Sequence, residues 1–173
     1  MRPLIPLTLA SLLTACAHQP VTDFAADKPA FRVEDFYNGH SRGYGFFFSR
    51  SGNVVKRFTA DENGTWDGTT LKLHEHYRYG DNTTQDRDWV FTKTADGTWI
   101  GRTPEVVGVT TGQESGNAYR MKYRFNLSKS GSDHVVDFDD WQWRMSDKVM
   151  INRAWATKFG VDVGEIEAVF TKN

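Results

Sequence analysis

From about residue 36 onward the chain alternates apolar and polar side chains in short runs, most of them ended by a glycine-containing turn. Leu71, Leu73, Glu75, Tyr77 and Tyr79 fall on one face, and Lys72, His74, His76 and Arg78 on the other. Tyr119, Met121, Tyr123, Phe125 and Leu127 alternate in the same way with Arg120, Lys122, Arg124 and Asn126. A period of two matches strands, whose successive side chains point to opposite faces, and a single polar face means a sheet packed on one side. Ser51-Gly52-Asn53, Asn63-Gly64, Asp67-Gly68, Gly80-Asp81-Asn82, Asp96-Gly97, Ser130-Gly131-Ser132 and Ser146-Asp147 separate the runs. Such pairs favour hairpins because the tight turns need positive φ. The pattern predicts strands over 44–49, 54–61, 71–79, 87–94, 98–102, 118–127, 134–145 and 149–156, and a last one running to Phe170. A looser, glycine-containing stretch spans about 104–116. Val33 to Tyr37 is the one place where a helical turn fits.

A series of about eight to ten consecutive antiparallel strands suits an up-and-down β-barrel, which removes exposed sheet edges. The expected fold is therefore all-β, a single antiparallel up-and-down barrel, with a sandwich as the alternative. High aromatic content (14%) and 15 glycines agree with strands and tight turns.

The N-terminus reads differently. Arg2 precedes an apolar run from Leu4 to Leu13, which ends in Leu13-Thr14-Ala15-Cys16. A basic start, a short apolar core and small residues before a cut site mark an export signal. The run is shorter than the roughly 20 residues that span a bilayer. Its last four residues match a lipobox, in which the thiol of Cys16 accepts a diacylglyceryl group and the chain is cut before it. Cys16 is the only cysteine, so no disulfide is available and an unpaired exported thiol needs another explanation. The expected organisation is a lipoprotein signal peptide at 1–15, a lipidated N-terminus and flexible tether at 16–32, and a barrel domain at 33–173. Ala17 stands where an aspartate would retain such a protein at the inner membrane, so the expected location is the outer membrane, facing the periplasm. A net charge of −1 argues against a nucleic-acid partner.

Within the barrel, Glu75 interrupts an apolar face, and a carboxylate there must be paired, since isolated burial costs roughly several kcal/mol. Arg87, just before Trp89, and Arg153, between Ile151 and Trp155 on one face, are candidate inward cations. Asp139-Asp140-Trp141 poses the same question, because Asp139 shares a face with Trp141, and Asp140 with Phe138; the pattern leaves open which face is inward. Glu75, Arg87, Asp139, Asp140 and Arg153 are thus a candidate buried network, serving either as a barrel-closing ion pair or as a polar anchor for a ligand. Tyr77, Tyr123, Phe125, Trp141 and Trp155 are the candidate apolar lining. His74 and His76 share a strand face with Lys72 and Arg78, which reads as solvated surface; no metal and no cofactor is expected.

Further motifs keep a recognisable order: Phe36-Tyr37-Asn38-Gly39, Val54-Val55-Lys56-Arg57-Phe58-Thr59, Gly64-Thr65-Trp66-Asp67-Gly68, Leu71-Lys72-Leu73-His74-Glu75, Arg87-Asp88-Trp89, Asp139-Asp140-Trp141, Ile151-Asn152-Arg153, Lys158-Phe159-Gly160 and Val163-Gly164-Glu165. From about Phe31 to the end the chain resembles the bacterial lipoprotein family called domain of unknown function 3833. The resemblance implies a lipocalin-like barrel without an established activity. It also implies a gene neighbourhood shared with cyclopropane-fatty-acid-synthase-like and other lipid-modifying enzymes. The expected function is binding of an apolar or amphipathic ligand, a lipid or fatty acyl, in envelope lipid handling. The alternatives are a non-catalytic accessory or scaffold for a membrane-associated protein partner, and an enzyme using buried carboxylates.

Overall fold

The computed structural model describes residues 19–128 and 134–173. Cys16, with its expected lipidation, and the signal peptide lie outside the described residues. A 3-10 turn at Val21–Phe24 and a short helix α1 (Val33–Tyr37) precede the strands. These are β1 (Gly39–Ser49), β2 (Val54–Trp66), β3 (Thr70–Tyr79), β4 (Thr84–Lys93) and β5 (Trp99–Arg102). They continue as β6 (Thr110–Ser115), β7 (Ala118–Asn126), β8 (Val135–Arg144), β9 (Val149–Lys158) and β10 (Val161–Lys172). Each strand pairs antiparallel with the next, and β10 pairs with β1, so the sheet is a closed up-and-down barrel.

The turns have the backbone that their residues allow. Gly52, Asn82 and Gly97 adopt positive φ in the hairpins β1–β2, β3–β4 and β4–β5. Asn63-Gly64 does not end a strand but lies within β2. Gly64 is there for close approach: the carbonyl of Tyr37 in α1 occupies the space that a Cβ would need. The stretch around 104–116 contains β6, a strand hidden from the sequence by its glycine and polar residues.

The two barrel ends differ. α1 closes one end, where Phe31, Val33, Phe36 and Tyr37 are all buried. Glu114, on β6, accepts the backbone N–H of Val33 at 2.7 Å and the indole N–H of Trp99 at 3.0 Å. Lys93 bridges Glu34 of α1 and Glu114 at 2.7 and 3.4 Å, so the plug is held by charge as well as by apolar packing. At the other end Phe47, Tyr79, Phe125 and the exposed Leu127 surround an opening.

Residues 19–32 are not free along their length. Val21 is buried with Ala118 and Trp141 outside the barrel wall, and the ring of Phe24 lies 5.7 Å from that of Trp141. The apolar residues of this stretch are spaced without a period, so nothing in the sequence separates a tether from a strap that covers one wall.

Candidate functional site

The barrel encloses a cavity of about 120 Å³. Its side chains come from alternate positions of the strands. β2 supplies Phe58 and Glu62, β3 supplies Leu73, Glu75, Tyr77 and Tyr79, and β4 supplies Arg87, Trp89 and Phe91. β7 adds Tyr119, Met121, Tyr123 and Phe125, while β8 and β9 add Phe138, Asp140, Gln142 and Asn152. The rings pack on one another, with Trp89 and Phe91 stacked at 5.1 Å and Tyr123 and Phe138 stacked at 5.1 Å. Such walls are rigid and apolar.

A polar band crosses this wall. Register sets Ser41 beside Glu62, Glu62 beside Glu75, and Glu75 beside Arg87. The Ser41 hydroxyl donates to Glu62 at 2.7 Å. Glu75 accepts from Arg87 at 3.2 Å and from the Trp89 indole at 3.3 Å. Elsewhere in the cavity, Asp140 accepts from Asn152 at 2.6 Å and from the Tyr123 hydroxyl at 3.1 Å. The Tyr37 hydroxyl donates to Gln142 at 2.9 Å.

Two glutamates side by side would repel if both were ionised. Burial pushes Glu62 well above the usual carboxylate range, and the charge of Glu75 pushes in the same direction. Both causes favour the protonated form of Glu62. Glu75 is also raised by burial, but Arg87 opposes the shift. Burial lifts Asp140 to about 7, against its hydrogen bonds from Tyr123 and Asn152. The interior thus holds a Glu62 shifted toward its neutral form, the Glu75–Arg87 pair and an Asp140 raised to about 7. The band is far less acidic than its three carboxyl groups suggest. Two buried donors of the lining, Arg87 Nε in the band and the Tyr119 hydroxyl over Gly112, have no hydrogen-bond partner among the described residues. Leaving a buried donor unpaired costs roughly 1–3 kcal/mol, so both favour a ligand acceptor.

The structure brings Glu75, Arg87 and Asp140 into the cavity with Tyr77, Tyr123 and Phe125. The other expectations are corrected. Asp139 is on the outer wall, where it forms a bidentate pair with Arg120 at 2.7 and 2.5 Å. Arg153 is also outside, bound to Glu165 at 2.9 Å and Glu167 at 3.2 Å, and stacked over Trp155. Trp155 and Trp141 share that outer wall. Trp141 is buried, but under Val21 and Phe24 rather than in the cavity. The reason is parity: on β8 the inward row is Val136, Phe138, Asp140 and Gln142, and on β9 it is Met150, Asn152 and Ala154. An aromatic row is therefore not a reliable sign of the inner face when a strap can cover the outer one.

Glu62, Tyr119 and Asn152 do not stand out in the sequence as site residues. For Glu62 a signal exists: register beside Glu75 follows once the β2–β3 hairpin is fixed at Asp67-Gly68. His74 and His76 pair with Asp88 at 2.8 Å and Asp86 at 2.6 Å on the outer face.

The family model described as "Protein of unknown function (DUF3833)" matches residues 10–172, and the chain belongs to that family. No curated protein matches it. Among solved structures it is similar to the S-type phycobiliprotein lyase CPES from Guillardia theta, at 12% identity and a TM-score of 0.62. That match covers 83% of this chain and 93% of the lyase chain, and it shows a shared lipocalin-like barrel.

Proposed function

We propose that the barrel binds one amphipathic lipid, a fatty-acyl molecule, with its polar end on the band and its chain along the aromatic wall toward the open end. The observation that carries this reading is the pairing of an aromatic-walled cavity with two donors, Arg87 Nε and the Tyr119 hydroxyl, that lack partners among the described residues. A carboxyl, ester or hydroxyl group seated beside Glu75 accepts from Arg87 Nε. The near-neutral band favours such a group over a multiply charged one. The cavity of about 120 Å³ is close in scale to the roughly 150 Å³ engineered cavity that holds benzene. It takes one end of a lipid, and the remainder of the chain projects past Phe47, Tyr79 and Leu127. A ligand held in that way is exchanged with a membrane through the same opening. The lipobox at Cys16 supports this setting, an outer-membrane lipoprotein facing the periplasm in envelope lipid handling.

Titration with a fluorescent fatty-acid analogue tests the reading. Saturable micromolar binding is expected, with quenching of Trp89 emission and competition by natural fatty acids. Arg87→Met is expected to weaken it about tenfold, the equivalent of about 1.4 kcal/mol. Absence of saturable binding sinks the proposal.

A second reading has its own observation. Tyr44, Val169, Ile151 and Trp143 form one register row across four strands of the outer wall, and the first three are exposed. Such a row suits an accessory protein that holds a partner.

A further inference from the structure

The open end of the barrel carries more exposed apolar side chains than the closed end among the described residues. Val54 and Val55 follow the β1–β2 turn, and Phe159, Val161 and Val163 lie in and after the β9–β10 turn. Val107 and Val109 lead into β6, and Leu127 follows β7; all of these are exposed. The two hairpins are neighbours, since Phe48 pairs with both Val54 and Glu165, and Ser49 with Gly164. The turns at the closed end are polar instead. Asp67, Asp96 and Ser146 bind their own turns through side-chain hydrogen bonds. Met145 is the exposed large apolar residue at that end among those described.

Phe159 is the most telling of these. It is 92% exposed and has φ of 52°, followed by Gly160 at 75°. Both central residues of this turn occupy the left-handed region, where Asn-Gly is the favoured pair. A phenylalanine is a poor choice there for folding, and its ring stands in solvent with the Lys158 ammonium 5.7 Å from its centre. Lys158 and Arg50 flank the apolar tips, as basic residues do where a surface meets phosphate head groups.

The N-terminal strap brings the expected anchor near this end. Phe24 lies against Trp143 and Gly116 at the closed end. Pro20 and Val21 lie beside Thr111 and Lys122, partway down the wall. Followed backward, the chain therefore runs toward the open end. Cys16 is four residues before Pro20, a reach of at most about 14 Å. From Lys122 to the end of β7 at Asn126 is also four residues, about 13 Å of strand. A lipid on Cys16 is thus within reach of the open rim, and the exposed apolar tips, which the closed end does not match, select that end.

We infer that the open end docks on a lipid bilayer, with Val54, Val55, Val109, Leu127 and Phe159 at the head-group boundary and the cavity mouth over the membrane. This deepens the proposed function and rests on lipidation of Cys16. The test uses the mature lipidated protein in vesicles of phosphatidylethanolamine and phosphatidylglycerol. The thiol of Cys16 is blocked there, so Phe159→Cys and Asp147→Cys each offer one site for a nitroxide label. The label at 159 is expected to be several-fold less accessible to a water-soluble nickel chelate than the label at 147, and more accessible to oxygen. Equal accessibility at the two sites, or the reverse order, overturns the inference while leaving the anchor intact. Failure of the protein to float with the vesicles overturns the anchor, and the inference with it.

Discussion

Replacing Asp140 by asparagine isolates the cost of the buried polar band. The side chain is buried, accepts from Asn152 and Tyr123, and has its carboxyl raised by burial from an ordinary 3.8 to about 7. A carboxyl with a raised folded-state pKa binds its proton more tightly in the native state. Its stability contribution is complete below the unfolded pKa and is lost as pH rises through the folded one. The window here runs from about pH 4 to about pH 7. At about 1.4 kcal/mol per pH unit, the loss across it is about 4 kcal/mol. The asparagine side chain has the same shape, keeps an acceptor for Asn152, and can donate to the Tyr123 oxygen. Asp140→Asn should therefore match the parent near pH 4 and exceed it by about 4 kcal/mol at pH 8. Urea melts of both proteins from pH 4 to pH 8 give the difference directly, and contributions from titrating groups that do not interact with Asp140 cancel. A difference that does not change with pH would show that Asp140 is ionised in the folded barrel throughout, and the description of the interior as near-neutral would fail.

Other substitutions separate inner from outer charges. Glu75→Ala strands Arg87 and the Trp89 indole inside, and should cost roughly 3–5 kcal/mol in chemical denaturation. Arg153→Ala removes a pair on the outer wall and should cost no more than about 1 kcal/mol in the same assay. Glu114→Gln weakens the hold on Lys93 and α1; hydrogen exchange at Val33 to Tyr37 should accelerate more than exchange in β8 or β9.

Period-two alternation and turn chemistry make the strands and their order legible, because both are local. Meander topology then follows from short connections alone. Ring closure of β1 on β10 is a long-range fact, yet it is the economical way to hide two sheet edges. Glu75, Arg87 and Asp140 stand out as charges on faces with apolar company. Arg153 stands out for the same reason and faces outward, because Trp155 and Ile151 belong to the outer wall. Trp141 misleads through the strap: Val21 and Phe24 bury it from a distance of more than a hundred residues along the chain, and no local pattern encodes that contact. β6 is hard to read because Gly112 sits beneath Tyr119, where a side chain would clash, and the glycine weakens the strand signal.

The central claim, a lipid held in the barrel through its open end, is tested most directly by native mass spectrometry of the mature protein purified from membranes. Ile166 lines the cavity, and Ile166→Trp adds an indole where the chain would lie. The account predicts one acyl lipid bound per parent molecule, in addition to the mass of the anchor, and its loss from Ile166→Trp with the fold intact by circular dichroism. An empty parent barrel, or equal lipid occupancy in parent and variant, would contradict it.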